Sequence, residues 1–209
     1  MSELLLASQN PGKLNEMRLL VEGLPFRVVG PRELGLLEAP DETGTTFRQN
    51  AAIKALAYAR LSGRLTVADD SGLSVDALGG APGLYSSRFG GEGASDRDRN
   101  LLLLEKLRGQ PFERRGARFT SAVAVARGDE LLFQAQESVL GFIADDMRGE
   151  SGFGYDPLFF YPPFGRTFGE VLREEKDRVS HRGKAFARLR ELLAGWRIPR
   201  DPSNRSPSG

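Results

Sequence analysis

The sequence predicts a mixed α/β fold, with parallel and antiparallel strands in one sheet, helices flanking it, and a cleft where glycine-rich loops gather. Three observations carry this. The N-terminal third alternates short apolar runs with helix-period segments in the order βαβαβ. A later stretch alternates residue by residue over two arms, as an antiparallel block does. Helical segments stand before and after that block, an order that suits a sheet with a ligand crevice at its loop ends.

Taken in order, "ELLLAS" reads as a first buried strand. "NPGK" is a turn that opens a helix, with Asn10 as N-cap and Pro11 at the first helical position. "LNEMRLLVEGL" places Leu14, Met17, Leu20 and Val21 at helical spacing. "FRVVG" is a second short strand. "PDETGTT" is a turn-rich linker in which Asp41 or Thr45 would cap the Ala-rich helix that follows over 47–61. Residues 65–68 make a third strand, expected to end at the acidic pair Asp69 and Asp70, with Ser71 and Gly72 turning the chain. "LGGAPGLYSSRFGGEGAS" is too long to be only a connector. Ser95 caps a helix through "RNLLLLEKL". "ARFTSAVAVARGDELLFQAQES" is a β-hairpin turning at 127–130. "VLGFI" and "YDPLFFYP" read as two further strands, and "HRGKAFARLRELLAGW" as an amphipathic C-terminal helix. Residues 1–196 are thus expected to form one domain, and the Pro/Ser-rich tail 197–209 to be disordered.

Composition narrows the function. The 209 residues are 40% hydrophobic and 27% charged, enough for a packed core. The net charge of +1 argues against a dedicated nucleic-acid partner. Cysteine is absent, which excludes disulfides, thiolate metal sites and a cysteine nucleophile, and fits a reducing cytoplasmic compartment. "LLLA" is too short for a signal peptide or a membrane span, so no membrane partner is expected.

Several groups could carry chemistry. Adjacent strand residues point to opposite sides, so Asp69 and Asp70 need not share one role. They are either turn residues or carboxylates whose burial a hard cation such as Mg²⁺ would offset. Glu42 is a second carboxylate source or a solvated loop charge. "SQNPGK" presents free backbone N–H groups at a helix start, with Lys13 adding a full charge, although the spacing is not that of a Walker loop. Lys54 lies one turn into the Ala-rich helix. Phe153, flanked by glycines, could lie beneath a base or join the core. His181 is the only histidine, beside Arg182 and near Lys176, so a Ser-His-Asp triad would depend wholly on it. Together these are the parts of a site for a metal-bound nucleoside triphosphate.

Five stretches, "LASQNPGK", "DETGTTFRQNAAIKA", "ADDSGLSVDALGGAPGLYSSRF", "GFGYDPLFF" and "EEKDRVSHRGKA", give the chain its resemblance to the inosine triphosphate pyrophosphatases. The likeness runs to about Trp196. It implies an elongated mixed sheet in two lobes, an active cleft between them, and a homodimer. It implies Mg²⁺-dependent cleavage of ITP, dITP and XTP between the α- and β-phosphates. By motif, Ser8, Gln9, Asn10, Pro11, Gly12 and Lys13 would cradle the triphosphate, approached by Lys54. Glu42 and Asp69 would hold the metal, with Asp69 also the general base, and Asp70 would contact substrate. Phe153, Gly154, Tyr155 and Asp156 would line the nucleoside pocket, and Lys176, His181 and Arg182 would reach the base. Gln49 stands where the family often has Glu, and Ser87 where Ala is common. Two alternatives stand beside this: a septum-inhibitor-type pyrophosphatase acting on pyrimidine or modified nucleotides, and a nucleotide-binding module without catalysis.

Overall fold

The computed structural model describes residues 2–196, so the tail expected to be disordered lies outside the described residues. The strands are β1 (Glu3–Leu6), β2 (Arg27–Val29), β3 (Leu65–Val75), β4 (Gly116–Arg127), β5 (Glu130–Ile143), β6 (Phe159–Tyr161) and β7 (Arg166–Thr167). The helices are α1 (Pro11–Leu20), α2 (Phe47–Ser62), α3 (Asp96–Lys106), α4 (Arg173–Val179) and α5 (His181–Ala194). One sheet holds the strands in the order β2-β1-β3-β4-β5-β6-β7. β1 pairs in parallel with both β2 and β3, and every pairing from β3 onward is antiparallel. This is the mixed α/β sheet the element order predicts. No helix among the described residues is long and apolar enough to cross a membrane.

Strand alternation sorts the core. On one face Leu4, Leu6, Val67, Val123 and Val125 meet Met17 of α1 and Phe186 and Leu189 of α5. On the other face Leu5, Ala68, Ala122, Ala124 and Ala126 meet Ala51, Ala55 and Ala59 of α2. Alanine on both partners lets α2 lie close to the sheet. Further along the same strands, Leu73, Val75, Phe119 and Val139 pack with Leu103 and Leu107 near α3 and with Phe159 and Phe168. β3, β4 and β5 therefore run through both ends of the core.

Helix ends follow local chemistry. Asn10 Oδ1 accepts the Lys13 N–H at 3.0 Å, with Pro11 opening α1 as expected. α2 is capped by Thr46, whose Oγ1 accepts the Gln49 N–H at 3.2 Å, and not by Asp41 or Thr45. Thr45 instead donates to Gln49 Oε1 at 2.9 Å, so Gln49 serves to hold the loop. Ser95 caps α3 in a reciprocal capping box with Asp98.

Four elements differ from the sequence expectation. β3 does not end at the acidic pair: it continues through Asp69, Asp70, Ser71 and Gly72 to Val75. Gly72 is extended backbone rather than a turn, and a Cβ there would lie 2.4 Å from the Gly83 carbonyl and 2.6 Å from Ser86 Oγ. "VLGFI" is no separate strand but the second half of β5, paired with β4 without interruption from Phe142 to Phe133. Residues 155–158 form a turn, leaving only Phe159–Tyr161 of "YDPLFFYP" as strand. The short helix α4 was not anticipated.

Candidate active site

Because β3 runs on through the pair, its alternation sends the two carboxylates to opposite faces. Asp69 shares the side of Val67, under α1 and α5. Its Oδ1 accepts from Ser121 Oγ at 2.5 Å across the ladder. Its Oδ2 accepts from Ser71 Oγ at 3.1 Å and Arg182 Nη2 at 3.3 Å, with Lys13 Nζ at 3.4 Å. Burial pushes the Asp69 carboxyl up, but Arg182, Lys13 and the Ser121 bond outweigh it and hold it well below the usual carboxylate range.

Asp70 faces α2. Lys54 Nζ donates to Asp70 Oδ1 at 3.3 Å and to Glu42 Oε1 at 2.8 Å, and Arg88 Nη2 donates to Glu42 Oε2 at 3.0 Å. Burial raises the Asp70 carboxyl, and Lys54 offsets this only in part. Burial also raises Glu42, yet Lys54 more than compensates and leaves it lowered. The shared cation thus ties Glu42 to Asp70, while Asp69 belongs to the network on the other face.

That network continues through a residue sequence reasoning passed over. Glu16 on α1 is buried, accepting from Lys176 Nζ at 2.7 Å and from Arg182 Nη1. Lys176 Nζ also donates to Asp156 Oδ2 at 2.5 Å, whose same oxygen accepts the Phe153 N–H at 3.0 Å. Charges therefore alternate from Asp156 through Lys176, Glu16 and Arg182 to Asp69 and Lys13. The available signal was a carboxylate one turn after Lys13 on the same helix, facing inward among apolar residues.

Of the predicted residues, Asn10, Lys13, residues 153–156, Lys176, His181 and Arg182 line one cavity. The Phe153 ring lies against Gly12, where a Cβ would come within 2.8 Å of it. Lys176 Nζ and the Arg182 guanidinium stand 5.4 and 5.6 Å from its centroid. The His181 ring stacks on Phe119 at 4.6 Å, and its buried Nδ1 has no partner. Burial lowers its pKa well below the ordinary value, and Arg182 and Lys176 add to that, so the imidazole is neutral. Ser8, Gln9, Pro11, Gly12, Glu42, Lys54, Asp69 and Asp70 lie outside this cavity lining. Gln9 turns away, donating to the Leu36 carbonyl at 2.8 Å and to Tyr58 Oη at 3.2 Å. Ser8 Oγ accepts the Asn10 N–H at 3.3 Å and braces the loop. Ser87 lines the cavity.

Fold and site together define a mixed α/β protein with a buried, cation-flanked carboxylate beside an aromatic-walled cavity. The sequence model of the Ham1 family matches residues 4–192, and the chain belongs to that family. It is 48% identical to a dITP/XTP pyrophosphatase of Anaeromyxobacter sp., over 91% of this chain and 96% of that protein. It is 42% identical to the dITP/XTP pyrophosphatase of Bacillus subtilis, over 92% and 98%. Among solved structures, a HAM1 protein from Coxiella burnetii superposes with a TM-score of 0.83 at 39% identity, covering 94% of this chain and all of that one. The resemblance drawn from the five motifs is borne out.

Proposed function

We propose that the chain hydrolyses noncanonical purine nucleoside triphosphates, namely dITP, XTP and ITP, to the nucleoside monophosphate and pyrophosphate. The carrying observation is the arrangement around Asp69 and the cavity, in a chain 42–48% identical to proteins named dITP/XTP pyrophosphatase. Residues 1–196 act in this reading as one two-lobed domain.

Lys13 and the free N–H groups at the start of α1 take the phosphates, with Lys54 approaching from α2. Asp69 accepts the proton of the attacking water as the anhydride bond between the α- and β-phosphates breaks. A carboxylate stabilised by Arg182 and Lys13 is a weak base. An arriving triphosphate competes for Lys13, and each positive charge drawn off Asp69 raises its basicity. Deamination replaces the purine 6-amino donor with an acceptor. A cavity that aims donors there takes inosine and xanthine and leaves adenine unpaired.

The residues also fit a divalent cation. Glu42, Asp69 and Asp70 supply hard oxygen donors, and Asp70 is a buried carboxylate that Lys54 alone does not fully compensate. Among the described residues no three carboxylate or imidazole groups gather as a cage. An ion would then rest on Glu42 and Asp70, which Lys54 already joins on one face, and not on the pair Glu42 and Asp69 that the family resemblance implies, with substrate phosphates and water completing a set Mg²⁺ commonly takes. Bound there, Mg²⁺ would lower the pKa of a water and neutralise phosphate charge.

The test is a panel of dITP, XTP, ITP, dATP, GTP and dTTP with Mg²⁺, read by pyrophosphate release. Deaminated purines should lead, and a chelator should abolish turnover. Preference for dTTP would favour the pyrimidine alternative, orthophosphate release would move the cleavage point, and silence on every triphosphate would leave only a binding module. A cytoplasmic homodimer completes the reading, and sedimentation checks the dimer.

A further inference from the structure

Gly154 sits inside the loop that walls the cavity, with φ at +62°. Both of its backbone polar groups leave that loop and end on α3. Its N–H donates to Asp96 Oδ2 at 2.8 Å, and its carbonyl accepts from Asn100 Nδ2 at 2.8 Å. Asp96 and Asn100 are four residues apart on one helix, so a single face presents both. The other Asp96 oxygen accepts from Arg99 Nη1 at 3.0 Å, which fixes the carboxylate, and the Ser95–Asp98 capping box fixes the helix start. Asn100 is only 2% exposed, and its Oδ1 finds no partner. An empty buried acceptor is costly, so an apolar side chain would suit α3 better if packing were its only task.

We propose that Asp96 and Asn100 are positioning residues for base recognition, holding Gly154 so that Phe153 and Tyr155 stand at fixed places along the cavity. The proposal rests on the assignment of this cavity to the nucleoside. Its logic is local. A left-handed glycine is the softest joint in a loop, since its backbone has the widest range. The neighbours have their own anchors: the Phe153 N–H is held by Asp156, and Tyr155 Oη donates to the Ser86 carbonyl at 2.8 Å. Among the described residues, only α3 holds the polar groups of Gly154. Because the Phe153 ring lies against Gly12, a slack loop would shift the ring relative to the phosphate-binding turn. Base discrimination would then suffer, while binding of a bare polyphosphate would not.

The test uses the full chain with Asn100→Ala, Asp96→Ala and Asp96→Asn. Asp96 is half exposed, so its variants fold even if Asn100→Ala does not. Two quantities are read: kcat/KM for ITP against ATP, and the inhibition constant of inorganic tripolyphosphate, a base-free anion. The alanine variants should raise KM for ITP and lower the ITP-to-ATP ratio about tenfold, the scale of one or two lost hydrogen bonds. Tripolyphosphate inhibition should stay within about twofold of wild type, and Asp96→Asn, whose amide oxygen still accepts, should recover most of the ratio. An unchanged ratio, or equal losses for ITP and tripolyphosphate, would overturn the proposal alone. A wild type inactive on ITP would overturn the nucleoside assignment, and this proposal with it.

Discussion

Arg182 Nη2 donates to Asp69 Oδ2 at 3.3 Å, and neither side chain reaches solvent, at 3% and 0% exposure. Removing one member of such a buried pair strands the other charge, at a cost of roughly 3–5 kcal/mol. Arg182→Ala also takes from Glu16 one of its two cations, leaving Lys176 alone to compensate it. It is therefore expected to lower the urea midpoint sharply and to depress turnover of every triphosphate, not of ITP alone. Arg182→Lys keeps a charge but not the fork, and should fall between. A midpoint unchanged in Arg182→Ala would rule out the network as a source of stability.

Asp69→Asn keeps shape and one acceptor but loses the charge. If Asp69 takes the proton from water, kcat should fall by about 10²–10⁴. Ser121→Ala removes only the 2.5 Å bond to Oδ1 and serves as the mild companion, with a much smaller loss. Comparable losses in the two variants would point to positioning, not basicity.

Burial raises the Glu16 carboxyl, but Arg182 and Lys176 outweigh it and lower its pKa to about 2, from 4.5. A depressed carboxyl adds stability above pH 4.5, and that stability is lost as pH falls toward 2. The full effect is on the order of 3 kcal/mol. Glu16→Gln should thus unfold more easily than wild type at pH 7, with the gap narrowing by pH 3. Urea titrations at the two pH values decide it, and a constant gap would contradict the assignment.

His181 offers a single-residue probe, since the chain has no other histidine. With its folded pKa well below 6.5, the unfolded chain binds a proton first as pH falls. Stability should decline below pH 6.5 by up to about 1.4 kcal/mol per pH unit from this group. Imidazole NMR should show a neutral ring at pH 6.5, where an ordinary histidine is half protonated. A titration near pH 6.5 in the folded protein would show that the ring is not buried as described.

Gly72→Ala places a methyl against the Gly83 carbonyl and Ser86 Oγ, so strand or loop must shift. Overpacking of this kind costs about 1–3 kcal/mol. The thermal midpoint should fall, whereas Gly91→Ala, strained in backbone but in open space, separates conformational cost from contact.

The helices were legible where local rules operate: Asn10 and Pro11 start α1, Ser95 starts α3, and alanines mark α2. Thr46 was hidden because three candidate caps stand within a few residues. The continuation of β3 was hidden for a deeper reason. Two adjacent carboxylates look like an exit from the core, and what keeps them inside comes from far along the chain: Ser121, Arg182 and Lys13 for Asp69, and Lys54 for Asp70. Glu16 escaped notice likewise, because its cations lie 160 and 166 residues away. The cavity residues were findable as motifs, but which of them face the cavity and which brace it depends on partners a single sequence does not pair.

The unbroken β3–β4 ladder, from Thr66 opposite Ala126 to Val75 opposite Ala117, governs how the molecule can move. A flexible joint at Ser71 and Gly72 would have let the two ends of the sheet swing about the acidic pair. A continuous antiparallel ladder is instead a stiff beam through that point. Any closing around a nucleotide must then come from segments mounted on the beam, and Asp69 and Asp70, held inside the ladder, are the fixed reference for it.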